Sequence, residues 1–315
     1  MDKQKAVKVL VTGGAGFIGS HLTEELLGMG YQVLVVDDLS TGNLANLKHL
    51  SSDSNLEVLC FSVNDACRLQ EACKGASYVF HQAAIPSVPR SVADPVSTNY
   101  ANITGTLNVL VAARDAGVKK VVYASSSSVY GDTPTLPKKE AMVPEPLSPY
   151  AVSKLAGEHY CAAFTASYGL QTACLRYFNV YGPRQAADSA YAAVIPKFIQ
   201  IIKQGKPPQI FGDGTQTRDF TFVKDVVRAN ILASQSLQNG AYNIGTGSSI
   251  SLNELAHALL KMIGYAKINP VYSKPRPGDV AHSLADISKA EQAFGYRPLY
   301  TLSEGLKITV EEYGE

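Results

Sequence analysis

The sequence predicts an α/β protein, with a doubly wound parallel sheet and a smaller C-terminal lobe. Three observations predict it. Apolar strand-like runs alternate with helical stretches up to residue 178. A glycine-rich turn joins the first run to the first helical pattern. From about Asn179 the rhythm loosens into short segments with Pro183, Pro207, Pro208, Gly212 and Gly214.

The first run, Val9-Leu10-Val11, is apolar throughout, as a strand buried on both faces must be. It leads through Gly13, Gly16 and Gly19 into a helical pattern at Leu22, Leu26 and Leu27. Gly13 permits a tight turn. Gly16 lets the backbone approach a pyrophosphate, and Gly19 lets helix and strand pack closely. The free N–H groups and dipole at the helix start favour phosphate charge. The second run, Val33 to Val36, ends at Asp37 and Asp38. An acid at that tip suits the ribose hydroxyls of NAD, and a carboxylate there repels the 2′-phosphate of NADP. Further strand-like runs cover Leu56–Phe61, Tyr78–His81, Lys120–Ser125 and Gln171–Arg176, with helices near 95–116 and 150–167. A later run, 241–245, is expected to return to the first lobe. The expected division is a dinucleotide-binding Rossmann lobe over 1–178 and a substrate lobe over 179–315.

Composition bounds the function. The chain has 315 residues, 46% hydrophobic and 17% charged, with a net charge of +1. That balance argues against nucleic acid or a membrane surface as the main partner. No apolar run approaches a membrane span and no signal-peptide pattern is present, so a cytoplasmic protein is expected. The five cysteines (Cys60, Cys67, Cys73, Cys161, Cys174) lack metal-site spacing and read as reduced thiols, with no metal expected.

The segment Tyr150-Ala151-Val152-Ser153-Lys154 carries the chemistry. On a helix, Tyr150 and Lys154 share one face. An ammonium beside a phenol favours the phenolate, so Tyr150 is expected to act as a base below the usual phenol value of about 10.

The glycine turn, Asp37, Ser125-Ser126-Ser127-Ser128-Val129-Tyr130-Gly131, Tyr150…Lys154 and Arg176-Tyr177-Phe178-Asn179 occur together and in order. That set resembles the extended short-chain dehydrogenase/reductases, and within them the NAD-dependent UDP-hexose 4-epimerases. The resemblance extends to Arg276-Pro277-Gly278-Asp279. It implies oxidation of a UDP-hexose at carbon 4 by bound NAD, turning of the keto sugar, and hydride return to its other face. It implies Tyr150 as base, Lys154 as the cation beside it, and Ser126 as the hydroxyl that orients the proton. The alignment on Val129-Tyr130-Gly131 selects Ser126, with Ser125 and Ser127 its immediate neighbours.

For the cofactor the resemblance implies Gly13, Gly16, Phe17, Ile18, Gly19, Asp37, Asp38, Asn99, Tyr150, Lys154 and Tyr177, with the adenine near Ser62 and Val63. Many relatives carry an acid where this chain has the uncharged Ser62. For the UDP-sugar it implies Ser87, Arg90, Ser126, Asn179, Arg218, Arg276, Asp279 and Ser283. Guanidinium forks suit phosphate oxygens. His81 and Tyr130 are read as structural, and Asp132 and Glu140 as loop charges.

The segment His81 to Ser91 resembles that of epimerases acting on N-acetylated UDP-hexosamines. Ser283 matches a gate that admits the N-acetyl group when small and rejects it when it is tyrosine. Both imply activity on UDP-GlcNAc/UDP-GalNAc and on UDP-Glc/UDP-Gal. A UDP-glucuronate 4-epimerase or decarboxylase is the alternative, with Arg90 the cation available to a sugar carboxylate. A 4,6-dehydratase would need an Asp-Glu pair after the serine-ended strand, and that pair is missing. A non-enzymatic NAD sensor would not need Tyr150 and Lys154. The helices near 95–116 and 150–167 resemble those of the family's dimeric four-helix bundle, so a homodimer is expected.

Overall fold

The structure is a computed structural model that describes residues 7–187, 193–275 and 281–313. In its first half β1 (Lys8–Thr12), α1 (Phe17–Gly28), β2 (Gln32–Asp37), β3 (Leu56–Cys60), α2 (Ala66–Cys73) and β4 (Tyr78–His81) lead to α3 (Val88–Ala93), α4 (Pro95–Asn99) and α5 (Gly105–Asp115). Then come β5 (Lys120–Ser126), α6 (Pro149–Tyr168) and β6 (Gln171–Tyr177). The second half has short strands β7 (Val180–Tyr181), β8 (Gln209–Phe211), β9 (Thr217–Arg218) and β10 (Thr221–Phe222), with α7 (Val194–Lys203) between β7 and β8. It continues with α8 (Val223–Gln235), β11 (Gly240–Ile244), β12 (Ile250–Ser251), α9 (Leu252–Ile263), β13 (Val271–Ser273), α10 (Ser288–Phe294) and α11 (Leu302–Glu312).

Seven strands form one parallel sheet in the order β11-β6-β5-β4-β1-β2-β3. Successive residues of β1 face opposite sides. Val9 and Val11 join the cluster with Leu22 and Leu26 of α1 and Val226 of α8. Leu10 joins the other, with Leu69 of α2, Leu110 of α5 and Phe164 of α6. Helices therefore cover both faces, which is the doubly wound Rossmann arrangement. A third cluster packs Ile199 of α7, Leu259 of α9 and Leu306 of α11 around Phe222. The strand at Gly240–Ile244 sits in the large sheet beside β6, although its sequence lies beyond the small strands.

The helical stretch expected near 95–116 is not one regular helix. A π turn at Tyr100–Thr104 separates α4 from α5. Its reason is Asn102, which is buried and bonds both the Ile85 amide, at 2.8 Å, and the Ser153 hydroxyl, at 2.9 Å. One extra residue in the turn aims that amide inward. No helix among the described residues is long and apolar enough to cross a membrane.

Candidate active site

The glycine turn is shaped by its backbone. Gly13 has φ +70°, and a Cβ there would lie 2.6 Å from the Ala83 nitrogen. At Gly19 a Cβ would overlap the Gly13 carbonyl, so the first turn of α1 rests directly on the turn. Gly16 differs: within 4 Å its Cβ would meet only the Gly13 oxygen, at 3.2 Å, leaving that side open. No side chain caps α1, and its first turn holds no acid. The amides at Phe17 and Ile18 therefore begin an uncapped helix beside open space, which is an anion-binding arrangement.

Asp37 ends β2 and is 7% exposed. Its carboxylate accepts the Ala15 amide at 2.9 Å and the Leu39 amide at 2.8 Å. It thus ties the glycine turn to β2, and burial raises its pKa. Two acceptor lone pairs remain in principle for a ribose. Asp38 is exposed and accepts from the Ser40 amide. Ser62, half-buried after β3, accepts from the Asn64 amide at 3.3 Å, while Val63 is buried and its carbonyl takes the Asn108 side chain. Asn99 is exposed at the end of α4. The Tyr177 hydroxyl is held by Asn230 and Gln82.

Tyr150 stands in the first turn of α6. Ser148 caps that helix through the Ala151 amide, and Pro149 occupies its first position. The Tyr150 amide donates to Ser91 Oγ at 3.0 Å, which docks α3 against the start of α6. Ser126 ends β5, its Oγ accepts the Ser128 amide at 3.1 Å, and its hydroxyl pulls the Tyr150 phenol pKa down. Its neighbour Ser125 points the other way and donates to buried Glu158 at 2.5 Å. Alternation along β5 separates the two adjacent hydroxyls.

Lys154 is 3% exposed. Its Nζ donates to the Ala124 carbonyl at 2.7 Å and lies 5.9 Å from the centre of the Tyr150 ring. Burial pushes its pKa down to about 7. In this structure the ammonium is bonded to the Ala124 carbonyl rather than to the phenol. Burial raises the Tyr150 pKa, and the Ser126 hydroxyl is what opposes the rise.

On the substrate side, Ser87 caps α3 through the Arg90 amide at 3.2 Å, and Arg90 is half-buried. Asn179, at φ +30°, bonds Ser283 Oγ at 3.2 Å and the Asp219 carbonyl at 3.0 Å. Arg218 reaches the Thr217 and Ala281 carbonyls. It also lines a cleft of about 370 Å³ with Phe220, Thr246, Ile250 and Tyr300; none of Tyr150, Lys154 and Ser126 borders that cleft. Arg276 and Asp279 lie outside the described residues.

Several organising residues escaped the sequence reading. Asp219 is fully buried and accepts from Thr246, Gly247 and Ala285, so it holds together the loops that carry Arg218 and Ser283. Its signal was present, an acid directly after Arg218. Asn102 was a polar residue inside an apolar helical pattern. Asp132 and Glu140 lie in the loop after β5, as expected, and each also accepts a backbone amide. Glu140 accepts the Asn243 amide at 2.7 Å, and Asp132 accepts the Ala281 amide at 3.2 Å. His81 is buried between Thr12 and Thr106, and burial lowers its pKa to about 3. It therefore stays neutral.

The sequence profile of the NAD dependent epimerase/dehydratase family matches residues 9–245. The chain belongs to that family. A UDP-N-acetylglucosamine 4-epimerase from Methanobrevibacter ruminantium M1, solved with UDP-N-acetylmuramic acid, is 43% identical, with a TM-score of 0.94 over 98% of this chain and 99% of that one. The UDP-glucose 4-epimerase of Mycolicibacterium smegmatis is 40% identical over 97% of this chain and 98% of its own length. The UDP-glucuronate 4-epimerase of Thermodesulfobacterium geofontis is 38% identical over 96% and 94%.

This epimerase/dehydratase family member is an enzyme with NAD as its cofactor. The open side of Gly16 and the uncapped start of α1 fit the cofactor's pyrophosphate. Among the described residues no group of three or more His, Cys, Asp and Glu is placed to hold a metal ion.

Proposed function

We propose that the enzyme is a UDP-hexose 4-epimerase that interconverts UDP-GlcNAc with UDP-GalNAc and UDP-Glc with UDP-Gal through a 4-keto sugar. The observation that carries this is the Tyr150 phenol in the first turn of α6 with Lys154 one turn further along the same helix, its Nζ 5.9 Å from the centre of the phenol ring. NAD would supply the hydride acceptor and donor at carbon 4 and, when oxidised, a positive charge that favours the phenolate. Gly13, Gly16, Phe17, Ile18, Gly19, Asp37, Asp38, Ser62, Val63, Asn99 and Tyr177 are the positions proposed to hold it. Tyr150 takes the proton of the C4 hydroxyl and returns it after the sugar has turned. Ser126 orients that proton, and Lys154 holds the nicotinamide ribose.

The UDP-sugar is proposed to be bound by Ser87, Arg90, Asn179 and Arg218, with Arg276 and Asp279 completing the phosphate and ribose contacts. The proposed division is a cofactor lobe over 1–178, to which α8 and strand 240–244 return, and a UDP-sugar lobe over the rest of 179–315. Purified protein should release NAD on denaturation and turn over all four UDP-hexoses. Turnover of UDP-glucuronate alone would favour the alternative reading, and NAD binding without turnover of any UDP-sugar would favour a sensor.

Ser283 is 9% exposed and shares a hydrogen bond with Asn179. A tyrosine there would occupy the space an acetamido group needs. A roomy pocket costs the smaller sugar only about 1–3 kcal/mol. Ser283→Tyr should therefore abolish turnover of the N-acetylhexosamines and spare UDP-Glc. Equal loss of both, in paired assays, would discredit the gate.

The enzyme is also proposed to be a cytoplasmic homodimer. Val96, Tyr100, Ile103, Leu107 and Val111 recur at spacings of 3 and 4 from α4 to α5, and Val96 is 77% exposed. Val152 of α6 adds to the exposed apolar surface. Tyr100→Glu should convert the dimer to monomer in sedimentation analysis. A parent protein that sediments as a monomer would contradict the assembly. All five cysteines are unpaired, as a reducing compartment would keep them.

A further inference from the structure

An ion pair lies buried beneath the redox residues and takes no part in the chemistry proposed above. Glu158 of α6 accepts from Arg176 Nε of β6 at 2.9 Å and from its Nη2 at 2.6 Å, and both side chains are more than nine-tenths buried. Arg176 Nη1 is buried with no hydrogen-bond partner among the described residues. As a stabilising device this is poor. Two desolvated charges rarely outweigh an apolar pair of the same volume, and an orphaned donor adds further cost.

Its connections suggest another use. Glu158 Oε1 also accepts from Ser125 of β5. Ser125 lies between Ala124, whose carbonyl holds Lys154, and Ser126, the hydroxyl proposed to orient the Tyr150 proton. Glu158 lies one turn beyond Lys154 on the same helix. On its other side, Arg176 covers the ring of Tyr130 at 4.8 Å, and Tyr130 donates to Asn243 at 2.7 Å. Asn243 in turn donates to the carbonyl of Asp286, in the segment that carries Ser283.

We propose that Glu158 and Arg176 are positioning residues: through Ser125 they set β5 against α6, so that Ser126 and the Ala124 carbonyl meet Tyr150 and Lys154. The proposal rests on Tyr150 being the base. Among the described residues, the titratable groups around that phenol are Lys154 on its own helix, Tyr123 on β5 and Tyr177 on β6. Ser126 lowers the phenol pKa, so shifting its hydroxyl away from Tyr150 moves that pKa upward.

The test uses the NAD-loaded enzyme. Ser125→Ala removes only the link between β5 and Glu158. It should lower kcat about 10-fold, within the 10² cost that a small misplacement can bring. The KM for the UDP-hexose should stay unchanged, and the acid limb of kcat should move to higher pH. Ser125→Thr, which keeps the hydroxyl, should restore both. Glu158→Leu with Arg176→Met removes the pair without leaving an unpaired charge, so the fold should survive with the same kinetic signature. The Tyr150 phenolate is also titrated by ultraviolet difference against Tyr150→Phe, and this readout needs no sugar. A parent inactive on every UDP-sugar would end the epimerase reading, while the titration still decides the role of the pair. Folded Ser125→Ala and double variants with parental kcat and phenol titration would overturn the proposal. So would losses of kcat that only track a fall in Tm without any pH shift.

Discussion

Tyr150→Phe should lose at least about 10² in turnover of every UDP-hexose while retaining NAD and fold. Positioned proton transfer contributes about 10² to 10⁴ in rate, and phenylalanine removes the only atom that performs it. The ring itself remains, so packing between α6 and β5 is preserved. The phenol is not a base by default in this protein, because burial raises its pKa and Lys154 is itself pushed down to about 7. Turnover should therefore climb with pH on its acid limb as the phenolate forms. The matching variant, Ser126→Ala, should shift that limb upward, since it removes the hydroxyl that holds the phenol pKa down. Steady-state assays across pH, with NAD content measured on the same samples, check both. Near-normal turnover by Tyr150→Phe would remove this residue as the base.

Gly13→Ala should cost most of the NAD binding. An L-residue at φ +70° is strained by about 1–2 kcal/mol. In addition, the new Cβ would sit 2.6 Å from the Ala83 nitrogen, a backbone atom that cannot step aside without moving the end of β4. The turn must open, and the amides at the start of α1 then no longer converge. An affinity loss of about 10- to 100-fold corresponds to the same few kcal/mol. Gly28→Ala is the control on the same helix, because its Cβ meets nothing within 4 Å. NAD released on denaturation, measured for both variants, separates loss of the turn from general damage to α1. Equal retention of NAD by both would contradict the role given to Gly13.

What could be read from the sequence divides along a physical line. Backbone requirements were legible. Gly13 and Gly19 announce a positive φ and a close approach, and the run Val9 to Val11 announces a strand with both faces covered. Environment was not legible. The spacing of Tyr150 and Lys154 correctly places them on one helix, yet the effect of the lysine on the phenol depends on how much water each has lost and on the Ala124 carbonyl that holds the ammonium. The π turn at Tyr100–Thr104 was hidden because apolar periodicity continues through it, and only the buried amide of Asn102 shows why it forms. Asp219 escaped for a similar reason. Its partners Thr246, Gly247 and Ala285 lie far along the chain, and no local pattern marks them.

A crystal structure of the enzyme with NAD and a UDP-hexose tests the central claim most directly. The distance to measure is from Tyr150 Oη to the C4 oxygen of the sugar. The account predicts about 2.6–3.2 Å, hydrogen-bond reach for proton transfer, with Ser126 on the same oxygen or on the phenol. A sugar whose C4 lies beyond that reach, or a phenol turned into the apolar core, would contradict it.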